Sequence, residues 1–160
     1  MKPLNEELVM TQEDKELLLK DLCARLPYEI KGIRIYKPEE VVTLNEIIPR
    51  CKMNPNIGNG SFCELGFDKI SDFCTITEFK PYLLSISSMT DEEKEELKQE
   101  HRKDEMLYVE CLTKAAEGDN SMRGKVILHY AMDWCNKNHF DYRGLIEKGL
   151  AIDATGLNIY

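Results

Sequence analysis

The 160-residue sequence predicts an α+β domain, and three observations carry the prediction. Apolar residues recur at helical spacing between Thr11 and Leu26, and again from Met106 onward. Between these stretches, from Tyr28 to Tyr82, β-branched and aromatic residues come in short runs broken by Pro and Gly. The chain is 42% hydrophobic and 31% charged, which is enough apolar material to build a core. At this length roughly two-thirds of the unfolded surface can be buried, so one domain over 1–160 needs no disulfide or metal staple.

Residues 1–10 read as a loose arm. A helix over 11–26 follows, with Thr11 as its cap and Gln12, Glu13 and Asp14 in the first turn. Leu18, Leu22 and Leu26 repeat every four residues and form its apolar stripe, and Pro27 stops it. Over 28–82 the pattern predicts a small antiparallel sheet, SH3-like or barrel-like, of four or five short strands. The runs at Ile30–Ile35, Val41–Ile48, Phe62–Phe67 and Phe73–Phe79 are its strands, and Asn54–Gly60 is a long turn. Lys80–Met89 reads as an extended connector, because Pro81 holds Lys80 out of helical geometry.

Thr90 and Glu93 form a capping box at the head of a long acidic helix over 90–117. Leu97 is the only strongly apolar residue of its first half, and Gly118 ends it. A helical corner over 121–153 completes the chain: one helix to Cys135, in which Val126–Leu128 reads as helix with a strand as the alternative, then a final helix capped by Asp141 and ended at Gly149.

The formal net charge is −8, which opposes general nucleic-acid or anionic-membrane binding. Ten acids against five bases fall within 90–117, so most of the excess belongs to one helix. Lys31, Arg34, Lys37, Arg50 and Lys52 cluster in the β region and form a candidate basic patch. No run of eighteen apolar residues is present, so no membrane span is expected. The acidic first residues do not resemble a signal peptide, and the cytoplasm is the expected location. Six cysteines without an export signal or a close ligand pair read as buried thiols rather than a disulfide or zinc framework.

Trp134, His139, Phe140, Tyr142 and Arg143 crowd into ten residues and make the candidate interaction surface. Arg143 has two readings: a clamp for a partner carboxylate, or an internal tie to a carbonyl or to Asp133. Cys135, His139 and Asp141 have the composition of a nucleophile, base and orienting carboxylate. Their side chains diverge around the corner, however, and Cys135 falls on the apolar face beside Trp134. No catalytic residue is assigned. His101, His129 and His139 show no paired-histidine spacing, and Gly58–Ser61 lacks the Lys and helix of a phosphate loop. No metal or cofactor is assigned.

The run His139-Phe140-Asp141-Tyr142-Arg143-Gly144-Leu145-Ile146-Glu147-Lys148-Gly149-Leu150-Ala151 resembles a group of short proteins encoded by gut anaerobic bacteria, often on prophages or other mobile elements. Thr11–Lys15, Arg25–Tyr28, Lys80–Leu83 and Ser87–Thr90 share in the resemblance, which covers about half of the chain. It implies a genomic setting and no chemistry. The leading expectation is a non-enzymatic protein-interaction module with a protein partner, acting as a phage or mobile-element accessory protein. A nucleic-acid-associated regulator using the β region is second, and a thiol- or metal-dependent enzyme third.

Overall fold

The computed structural model describes residues 10–50, 62–68, 70–100 and 120–160. Helix α1 spans Gln12–Arg25, and the Thr11 hydroxyl accepts a hydrogen bond from the Asp14 N–H at 3.1 Å. Its buried stripe is Leu18, Asp21, Leu22 and Arg25, so two charged residues occupy the face that carries the leucines. Burying each leucine contributes roughly 1.5–3 kcal/mol. Pro27 lies in a 3-10 turn, Leu26–Tyr28, that ends the helix.

Five strands follow: β1 (Lys31–Arg34), β2 (Lys37–Arg50), β3 (Phe62–Phe67), β4 (Ile70–Thr75) and β5 (Phe79–Ser85). Neighbours among them pair antiparallel in the order β4-β3-β2-β1-β5. Strand β2 is 14 residues long; its first part pairs with β1 and its later part with β3. Register shifts interrupt the β1–β2, β2–β3 and β3–β4 ladders. Such irregularities increase local twist and help a small sheet curl over a helix. Gly32 permits the closest approach in the sheet. A Cβ there would stand 2.5 Å from the Lys80 carbonyl and 2.5 Å from the Phe79 ring.

Lys80–Met89 is not a connector, as Pro81 suggested. Phe79–Ser85 is β5, an inner strand with β1 on one side and two short parallel partners on the other. Those partners are β6 (Phe140–Asp141) and β7 (Ile152–Asp153), and they make the seven-stranded sheet mixed rather than purely antiparallel. The same segment then turns through Ile86–Ser88 into helix α2 (Asp91–Glu100). The capping box is formed in both directions, Glu93 N–H to Thr90 Oγ1 at 3.2 Å and Thr90 N–H to Glu93 Oε2 at 2.7 Å. The remainder of the acidic helix expected through 117 lies outside the described residues, as do the arm over residues 1–9 and the turn at Asn54–Gly60.

Helix α3 spans Asn120–Lys137, so Val126–Leu128 is helical. It packs against both α1 and α2. The expected final helix after Asp141 is absent: residues 145–149 form turns closed at Gly149, whose φ is +71°. Gly144, at φ +74°, and Gly149 are only five residues apart, too close for a regular helix between them. Asp141 still performs capping chemistry. Its carboxylate accepts from the N–H groups of Arg143, Leu145 and Ile146 at 3.2, 3.0 and 2.8 Å.

Candidate functional site

The aromatic corner is an internal joint between α1, α3 and β5. Trp134 and Phe140 are buried and stacked on each other, with centroids 5.6 Å apart and planes at 9°. Met89 belongs to the same cluster, and Leu97 of α2 packs against it. His139 is buried too; its ring lies flat on Tyr160 at 3.6 Å. These three residues are therefore turned inward rather than offered to a partner. Tyr142 and Arg143 keep partial exposure.

The joint is held by ions. Arg25 and Asp21 are completely buried and paired at 2.8 Å, one helical turn apart. Arg25 also donates to the Cys135 carbonyl at 3.2 Å and the Phe140 carbonyl at 2.7 Å, which ties α1 to the end of α3 and to β6. Arg143 donates through Nε to the other oxygen of Asp21 at 3.1 Å. The Tyr142 ring lies 4.6 Å from the Arg143 guanidinium carbon and 5.6 Å from that of Arg25. A buried carboxylate with a partner for each oxygen escapes most of the desolvation penalty. Arg143 is thus an internal tie, and the anchor is Asp21, not Asp133 or a carbonyl.

Asp21 serves two guanidinium groups, so the cluster keeps one positive charge. Asp141, the other carboxylate nearby, is occupied by three backbone N–H groups. The surplus resides on Arg143, whose two Nη atoms have no hydrogen-bond partner among the described residues. Beside it opens a cleft of about 270 Å³, lined by Ala24 of α1, by His129, Met132, Asp133 and Asn136 of α3, and by Arg143. The four α3 residues follow the i, i+3, i+4, i+7 spacing of one helix face. Asn136 Oδ1 is buried without a partner among the described residues, and the Asn136 amide lies beside the buried Tyr142 hydroxyl. Burial raises the Tyr142 phenol, and Arg143 beside it works in the opposite direction. Asp133, also in the lining, accepts the Tyr28 hydroxyl at 2.9 Å.

Of the candidate basic patch, Arg34 does not reach the surface. Arg34 is 1% exposed and points inward, held by Glu40 and by Asp72 and lying over the rings of Tyr36 and Phe67. Lys31 donates to the Ile159 carbonyl at 2.8 Å and lies over the Tyr160 ring. Lys37 is exposed; the Arg50 side chain and Lys52 lie outside the described residues.

Cys135 and His139 do not form an activated pair. Burial pushes the Cys135 thiol up, partly opposed by Arg25, and pushes the His139 imidazole down to about 4, helped by Arg25 and Lys31. A nucleophilic thiolate needs both shifts reversed. No hydrogen bond joins the two side chains among the described residues, and Asp141 is engaged with backbone. Burial also raises the Cys74 thiol, to about 12. Among the described residues no three His, Cys, Asp or Glu side chains gather as a metal site, and no helix is long and apolar enough to cross a membrane.

Asp21 and Arg25 are the functional residues that sequence reading missed. Their signal was present: they stand three and seven positions after Leu18, on the leucine stripe itself, at the i,i+4 spacing of an ion pair. No protein-family model, curated protein or solved structure matches the chain.

Proposed function

We propose that this protein is a non-enzymatic interaction module that docks a partner protein at the α1–α3 cleft, in the manner of a phage or mobile-element accessory factor. The observation that supports this most is the Arg143 guanidinium. Its Nε is fixed by Asp21 and its face lies against Tyr142, while its two Nη atoms stay unpaired at the edge of an open cleft. A donor held this way loses little freedom on binding, which is what makes a pre-organised contact effective. Five of the six lining residues stand on helices α1 and α3, and Arg143, on the bend after β6, is held by Asp21.

The nucleic-acid reading loses its support, because Arg34 is neutralised by two carboxylates inside the sheet and Lys31 is engaged with residues 159 and 160. The test is quantitative capture from the native host by three proteins: wild type, Ala24→Phe, which fills the cleft, and Glu147→Ala, an exposed change outside it. One partner retained by wild type and Glu147→Ala but lost with Ala24→Phe is the expected result. Equal capture by all three, or none by any, contradicts the reading.

A further inference from the structure

We infer that the α1–α3 cleft binds the terminal α-carboxylate of a partner polypeptide; this rests on the cleft being the docking point. Two guanidiniums share Asp21, and Arg143, whose Nη donors have no partner among the described residues, lines the cleft. A planar carboxylate matches that fork with two parallel hydrogen bonds. A phosphate carries about −1.5 to −2 near neutrality and would share the cleft with Asp133.

Asp133 accepts Tyr28 through one oxygen, and its other oxygen has no partner among the described residues. The cleft therefore presents a donor group at Arg143 and an acceptor at Asp133. A chain end presents the complement within one residue, a carboxylate and the N–H beside it. A glutamate side chain separates its carboxylate from the nearest N–H by several bonds and fits less well. Ala24 and Met132 supply apolar wall for the terminal side chain, and a volume of about 270 Å³ suits one or two residues rather than an extended segment.

The test is a chemical-shift titration of the whole protein with four probes. They are acetylated trialanine with a free carboxylate, its C-terminal amide, an acetylated and amidated peptide whose only acid is a glutamate side chain, and inorganic phosphate. The free acid should shift the Arg143 Nε–Hε signal and the Asn136 side-chain amide saturably, with the other probes at least about tenfold weaker. Arg143→Gln should weaken the free acid by a similar factor. Ala24→Phe, which leaves the ion cluster untouched, should abolish binding. Equal binding of the amide, preference for the glutamate peptide or for phosphate, or no shift with any probe overturns the inference. Partner capture that remains sensitive to Ala24→Phe while the free acid fails would leave the docking surface standing and remove only the carboxylate.

Discussion

Asp21 and Arg25 lie one turn apart on α1 with a 2.8 Å ion pair, and neither side chain exposes any surface. Around this pair the helix, the end of α3 and β6 are locked together. Asp21→Asn removes the only carboxylate touching two guanidiniums and leaves Arg25 charged in the interior. The expected loss is about 3–5 kcal/mol in urea unfolding, with the slope unchanged. A loss below about 1 kcal/mol would mean that Arg25 finds compensation elsewhere.

His139 gives the fold a pH dependence of definite sign. Burial, with Arg25 and Lys31 nearby, lowers its imidazole from 6.5 to about 4. The unfolded chain therefore binds the proton more readily than the folded one. Stability from this residue is complete above pH 6.5 and is lost as pH falls from 6.5 toward 4, by about 3 kcal/mol in all. His139 also sits at φ +62°, a conformation Asn tolerates. His139→Asn should accordingly flatten that part of the stability profile between pH 7 and 4.5, while the carboxylate-dependent remainder persists. An unaltered profile would place the titration elsewhere.

Tyr160 covers His139 and anchors the chain's last residues. Its hydroxyl donates to the Tyr82 carbonyl at 2.9 Å and accepts the Lys31 N–H at 3.2 Å. Tyr160→Phe should cost about 1 kcal/mol. Tyr160→Ala should cost about 0.5–1.5 kcal/mol more through the lost ring contact, and should move the His139 titration back toward its ordinary value. Imidazole resonances followed against pH report the second effect directly.

Gly32 is predicted to resist every substitution. An added methyl at 2.5 Å from both the Lys80 carbonyl and the Phe79 ring forces β1 away from β5. Gly32→Ala should destabilise by about 1–3 kcal/mol in thermal or urea unfolding. A neutral result would show that the Phe79 ring has room to swing aside.

Local signals were legible in the sequence, and long-range ones were not. Thr90 with Glu93 and Thr11 with Asp14 are encoded within four residues, and both caps form as their residue types dictate. Leu18 and Leu22 likewise declare a buried face by spacing alone. Strand β5 was hidden because two of its partners, β6 and β7, are two residues each and lie more than fifty positions away. Arg34 resembles surface charge in the sequence because the phase of β1 is not visible in its apolar residues. Ile33 and Ile35 look like the core face, yet Gly32 and Arg34 are the buried ones and Ile35 is 48% exposed. The crowding of Trp134, Phe140 and Tyr142 marked an important place, but crowding does not say whether rings face a partner or each other.

Everything proposed for the cleft depends on Arg143 being the cation the fold does not need. The measurement that tests this most directly is the unfolding free energy of Arg143→Gln beside that of Asp21→Asn. With Arg143 gone, Asp21 and Arg25 remain a charge-matched pair and one Asp21 oxygen loses its partner, so the expected loss is about 1–3 kcal/mol, below that of Asp21→Asn. A loss as large as that of Asp21→Asn would contradict the account, because Arg143 would then be a structural part of the joint rather than a donor held ready for a partner.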